Sequence, residues 1–309
     1  MNAQDSSTLP QEVQEWVVGA DTGFPAVPSE PAFTAAGTPY LKTPGVAVIA
    51  KPEVNVRNIS GFLDGFAPEL QFSQYVDDPV TLPPGAAVCK AAGQLCYASF
   101  GVKRTYNSDA EKYFENIKES GHGSVLEHAN YTMLFYGISR SVTHELVRHR
   151  AGVGVSQISQ RYVSGRVLRF VERPEYQAIP ELHGDFERRI DAAAADYNRI
   201  ADILASEQKS GAELLSADYR TDLRKKVQQA ARSVLPNETE APIVVTANAR
   251  AWRHIIEMRA NMHAEVEIRA LAFRAYLCLA ALDPIIFGDY SVIHLSDGTY
   301  GVQTPHPKV

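Results

Sequence analysis

The stretch NYTMLFYGISRSVTHELVRHRAGVGVSQISQRYV, residues 130–163, runs from a strand pattern through a helix pattern into a cluster of cations. Residues 130–138 alternate apolar and polar side chains as a half-buried strand does. Gly137, near the end of that run, precedes SRSVTHELVRHR, in which Val142, Leu146 and Val147 recur at helical spacing. Arg148, His149, Arg150 and Arg161 fall within residues 146–163, where no Asp or Glu occurs, and Glu145 is the only close acid. The cluster therefore begins at the C-terminal end of a helix that follows a strand. Cations there complement the helix dipole, which accounts for part of it. The remainder needs a carboxylate from elsewhere in the fold or an anionic ligand. Gly152 and Gly154 are expected to end the helix.

Outward from this stretch, helices dominate. GVAVIA (45–50) is a short β-branched strand, and AAVCKAAGQLCYAS after Pro83-Pro84 has helical spacing. YNSDAEKYFENIKESG predicts a helix capped near Ser108 and stopped by Gly121. A long Ala-rich amphipathic helix is expected over 181–209. DLRKKVQQAARSVLP, closed by Pro236, follows it, and a further helix is expected over 249–282. Asp297-Gly298 marks a hairpin near the end of the chain. Residues 1–44 carry Pro25, Pro28, Pro31, Pro39 and Pro44 among small residues and are read as a flexible leader. Residues 45–309 are read as one α/β domain.

A net charge of −6 over 309 residues gives no field that would attract nucleic acid or an acidic membrane. Any anion site must be a local concentration of cations. Three cysteines, Cys89, Cys96 and Cys278, lack metal-type spacing and fit a reducing compartment. No secretory signal opens the sequence and no apolar run is long enough to span a bilayer. These features predict a soluble, cytoplasmic protein.

Three chemistries are open to these residues. HELVRH (144–149) misses the zinc-protease motif by one residue, since its histidines stand about 140° apart on a helix. No third ligand completes a set with His122 and His128, so no metal is expected. No nucleophile elbow or Cys/His pairing occurs, and all three thiols are read as buried and structural. Anion recognition fits better. Arg148, Arg150, Ser156, Ser159 and Arg161 offer guanidinium forks and hydroxyls in a glycine-containing loop. A second cationic stretch, NARAWRHIIEMRANMHAEVEIR (248–269), places Arg250 with His254, and Arg259 with His263 and Glu267, on i,i+4 stripes.

RHR followed by SQISQRY resembles the signature of the flavin-dependent thymidylate synthases. SGHGSVLEHANYT (120–132), GISRSVTHELVRHR (137–150), ARSVLPNETE (231–240) and NARAWRHIIEMRANMHAEVEIRALA (248–272) support the likeness in family order. The resemblance implies a single α/β (α+β) domain with a central, mostly antiparallel sheet flanked by long helices. It also implies conversion of dUMP to dTMP, with 5,10-methylenetetrahydrofolate as carbon donor, NADPH as reductant and FAD as hydride carrier. The implied assembly is a homotetramer with active sites between subunits, and two anionic ligands would neutralise the cation cluster.

By the same resemblance Ser124, Arg148, His149, Arg150, Asn248, Ala249, Arg250 and His254 contact FAD, and Gln157 touches both ligands. Glu145, Leu146, Val147, Arg148, Ile158, Ser159, Gln160, Arg161 and Arg232 hold dUMP. Arg259 activates the uracil, a role in which a fixed cation stabilises charge as C5 becomes nucleophilic. His122 and Glu127 match motif positions too, although a His and a Glu in a turn often only satisfy backbone groups. Eight residues separate Arg150 from Ser159 where the family has seven, and the glycines of 151–155 are expected to absorb the extra one as a bulge. Gly123 replaces a larger residue, which predicts looser ligand packing. Two other readings are a nucleotide- or flavin-binding relative without activity and a histidine-based metal hydrolase.

Overall fold

The computed structural model describes residues 11–163, 167–209, 217–307 and 309 of the chain. Among them the strands are β1 (Ala26–Val27), β2 (Pro31–Phe33), β3 (Pro39–Leu41), β4 (Gly45–Ala50), β5 (Asn130–Tyr136), β6 (Val153–Gln157), β7 (Phe170–Val171), β8 (Ile243–Asn248), β9 (Ser291–His294) and β10 (Tyr300–Gln303). The α-helices are α1 (Gln11–Gln14), α2 (Ser60–Leu63), α3 (Pro84–Cys96), α4 (Ala110–Glu119), α5 (Arg140–Leu146) and α6 (Pro174–Gln177). They continue with α7 (Pro180–Lys209), α8 (Ala217–Ala231), α9 (Ala249–Arg259), α10 (Val266–Leu282) and α11 (Pro284–Phe287).

The central sheet has the order β1-β4-β5-β8-β6, and every neighbouring pair is antiparallel. That is the α/β architecture expected, with long helices flanking an antiparallel sheet. Alternate side chains of its strands (Val46 and Val48, then Tyr131, Met133 and Phe135, then Ile243, Val245 and Ala247) point into one hydrophobic core. Trp252, Ile255 and Ile256 of α9 and Leu271, Phe273 and Leu277 of α10 complete it. β2-β3-β7 form a second small sheet in which β3 and β7 run parallel, and β9 pairs with β10 in the expected hairpin.

Two strands each feed a capped helix. β5 leads through Gly137 to Ser139, whose Oγ accepts from the N–H of Val142 at the start of α5. β8 leads to Asn248, whose Oδ1 accepts from the N–H of Ala251 at 2.8 Å. Because β5 and β8 are antiparallel, α5 and α9 leave opposite ends of the sheet, and their far ends meet.

Several expectations need correction. Residues 11–44 are no irregular leader: Val13, Val27, Tyr40 and Leu41 are at most 3% exposed, and β1 pairs with β4. Pro31 and Pro39 stand first in β2 and β3, where a missing N–H is tolerated. Residues 1–10 lie outside the described residues. The helix expected over 249–282 is two helices, because the Asn261 amide donates to the carbonyls of Glu257 and Met258 and closes α9. The stripe joining Arg259, His263 and Glu267 is therefore interrupted. α5 ends at Leu146, before either glycine, and Gly154 lies inside β6. Ser108 lies in a 3-10 turn and its side chain caps no helix. Cys89 and Cys278 are buried, whereas Cys96 is exposed.

Candidate active site

The site is built where α5 and α9 end together. Arg259, the last residue of α9, donates from Nη1 to Glu145 Oε2 at 2.7 Å and from Nε to His149 Nε2 at 3.0 Å. Its Nη2 has no partner among the described residues, so the guanidinium is held at Nε and Nη1 and free at Nη2. Because Nε2 of His149 accepts, the imidazole is neutral with its proton on Nδ1. Burial, the Arg259 guanidinium and His254 push this histidine down to about 4. The two imidazoles meet edge to face with centroids 5.7 Å apart.

The turn between α5 and β6 carries the other cations. Arg148 and Arg150 are exposed and make no side-chain hydrogen bond or ion pair among the described residues. Gly152 adopts φ +68°, and a Cβ there would come within 2.5 Å of the Asn248 amide nitrogen, so the turn requires glycine. β6 itself pairs with β8 in unbroken register from Val153 to Gln157. The bulge expected within residues 151–155 is therefore absent from residues 153–155.

The remaining expected residues divide into four groups. Gln157 donates to Thr143 Oγ1 at 3.2 Å, Arg161 donates to Gln229 Oε1 at 3.2 Å, and Arg250 pairs with Glu127 at 2.6 Å. Ser124, Val147 and His254 are exposed, and Arg232 is half-buried without a side-chain partner among the described residues. Leu146 and Ala249, at 2% and 0% exposure, point into the core, which leaves only their backbones for a ligand. Ile158 and Gln160 line a cavity of about 370 Å³ together with Leu168, Tyr197 and Leu235, while the Ser159 hydroxyl accepts from the Arg161 N–H. His122 is exposed, and no group of three His, Cys, Asp or Glu among the described residues is arranged to hold a metal.

Gly123 is closely surrounded. A Cβ there would lie 3.0 Å from Arg250 Nε and 3.4 Å from Val309, so this chain's own side chains occupy the space. Sequence reading missed Thr143 and the convergence of Glu145, His149 and Arg259. Glu127, which matches a motif position, is the carboxylate that neutralises Arg250.

A family model described as "Thymidylate synthase complementing protein" matches residues 80–285. Proteins named flavin-dependent thymidylate synthase from Mycobacterium sp. (strain JLS) and Mycobacteroides abscessus are 45% and 46% identical to this chain. Those alignments cover 72% and 70% of it, and 86% and 83% of the relatives. Among solved structures, a UMP/dUMP methylase, PolB from Streptomyces cacaoi bound with 5-Br dUMP, has the same fold, with TM-score 0.53 and 18% identity. That likeness covers 80% of this chain and 93% of PolB. No helix among the described residues is long and apolar enough to cross a membrane. By the family match and by relatives above 40% identity along most of its length, this chain belongs to the thymidylate synthase complementing protein family, that of the flavin-dependent thymidylate synthases.

Proposed function

We propose that the protein methylates dUMP reductively to dTMP, taking carbon from 5,10-methylenetetrahydrofolate and hydride from NADPH by way of FAD, without an enzyme nucleophile. One observation carries this reading: His149 and Glu145 hold Arg259 at Nε and Nη1 and leave its Nη2 donors without a partner among the described residues. Such a fork suits a carbonyl oxygen that gains charge as the uracil ring becomes nucleophilic at C5. Glu145 and the neutral His149 restrict its rotamers, so less orientation is lost when the substrate arrives.

The donor set also fits anionic ligands. Arg148, Arg150 and Arg232 lack carboxylate partners among the described residues, so a pyrophosphate and a phosphate would satisfy them. Arg148, Arg150, Ser124, Asn248, Arg250 and His254 would hold FAD, and Gln157 through Arg161 with Arg232 would hold dUMP. Bound FAD supplies the hydride. The thiols fit a route without a nucleophile: burial pushes Cys89 and Cys278 up to about 12, and Cys96 lies on α3, which contributes nothing to the site. Exposed cations beside the edge strand β6 leave the site open on one side, which suits completion by other subunits of a cytoplasmic homotetramer.

The names of the curated relatives, and the 5-Br dUMP bound to PolB, support the substrate class. Purified protein with FAD and NADPH should release tritium from [5-³H]dUMP only when methylenetetrahydrofolate is added. Absence of release under these conditions overturns the proposal, and dUMP binding without release would make the chain a nucleotide-binding relative.

A further inference from the structure

The start of α5 is gripped by two buried carboxylates. Glu240 accepts from the Gly137 N–H at 2.7 Å and is itself held by Nε and Nη2 of Arg169, at 2.6 and 2.8 Å. Glu267, 1% exposed, accepts from the Ser139 N–H at 2.7 Å and from the Ser139 hydroxyl at 2.8 Å. Ser139 is the N-cap of α5, so Glu267 seats the residue that starts the helix.

The other end of the same seven-residue helix presents Glu145 to Arg259. Arg259 ends α9 and Glu267 lies in the first turn of α10, separated only by the turn at 260–265. One α9–α10 unit therefore holds α5 at both ends, about 10 Å apart along the helix axis. A shift at Ser139 moves the rod as a whole, and Glu145 with it.

We infer that Glu267 is a positioning residue for the Arg259 site: by seating Ser139 it sets α5 so that Glu145 reaches the guanidinium. The inference rests on the proposed role of Arg259 in dTMP formation. Glu267 faces Ser139 from the β5–α5 joint, Arg173 at 3.9 Å from the segment before α6, and Glu265 on its own helix cap. Arg173 is also engaged with Glu175 and Glu265. Burial pushes the Glu267 carboxyl up to about 7, against the Ser139 bonds, which favour the charged form. A glutamine, which copies the protonated carboxyl, can still accept from the Ser139 N–H.

The test compares wild type, Glu267→Ala and Glu267→Gln as full-length protein, by tritium release from [5-³H]dUMP and by the ¹⁵N imidazole resonance of His149. Glu267→Ala should lower kcat about 10- to 100-fold, as a misplacement near 1 Å does, with flavin content and the KM for dUMP little changed. It should also move the His149 resonance, because Glu145 no longer anchors Arg259 beside it. Glu267→Gln should restore most of kcat. A Glu267→Ala variant with wild-type kcat and an unmoved His149 signal overturns the inference. Where that variant fails to fold, Ser139→Ala carries the same test: a moved His149 signal supports the role and an unmoved one overturns it. Wild type that releases no tritium would defeat the proposed function instead, while the His149 signal, which needs no turnover, still decides the role of Glu267.

Discussion

Arg253 and Arg259 stand on the same helix, yet one is saturated and the other is half free. Arg253 is fully buried and spends its donors on Asp289 at 2.6 and 2.8 Å, the Val309 carbonyl at 3.0 Å and the Ile286 carbonyl at 2.7 Å. Lys118 and Thr304 complete the shell around Asp289, whose carboxyl is held well below the usual range. Arg259 keeps 19% of its side chain exposed and meets one carboxylate and one neutral imidazole. An arginine whose donors are consumed by the fold is architecture. An arginine aimed by the fold and left partly unbonded is available for chemistry.

The largest expected effect follows from that difference. Arg259→Ala should lower dTMP formation by at least about 10²-fold, as loss of a charge-stabilising donor does. Its thermal midpoint should barely move, since a partly exposed ion pair contributes about 0–1 kcal/mol. Tritium release and thermal denaturation on one preparation check both halves.

Arg253→Ala should do the reverse. It leaves Asp289 without its bidentate partner in a buried site, which destabilises by about 3–5 kcal/mol. The midpoint should fall by on the order of 10 °C, while the fraction that remains folded keeps its turnover per site. Denaturant titration reads the loss. Equal stability losses in the two variants would break the comparison.

Much of this frame was legible in the residues. GVAVIA reads as β4 because it is β-branched and bounded by proline, and the Ala-rich periodicity gives α7 within a residue. β1, β2 and β3 escaped because strands of two or three residues carry no period to detect. The end of α9 escaped because an asparagine side chain, with no glycine or proline nearby, terminates it. Each member of the Glu145, His149 and Arg259 set was assigned through the family likeness. Their mutual contacts were not legible, since 110 and 114 residues separate the partners and only the meeting of α5 with α9 joins them.

The smallest expected effect sharpens how Arg259 is held. His149 is pushed down to about 4, first by burial, then by the guanidinium, then by His254. An unfolded histidine titrates near 6.5, so between about pH 6.5 and 4 the unfolded chain binds the extra proton and the native one does not. Stability from this residue is complete above pH 6.5 and is lost as the pH falls toward 4. The ¹⁵N spectrum should show a neutral imidazole protonated on Nδ1 down to about pH 4. In Arg259→Ala the titration should move upward yet stay below 6.5, because burial remains the larger cause. A wild-type midpoint near 6.5 would mean that the imidazole is solvated and the clamp on Arg259 looser than its 3.0 Å bond to His149 implies.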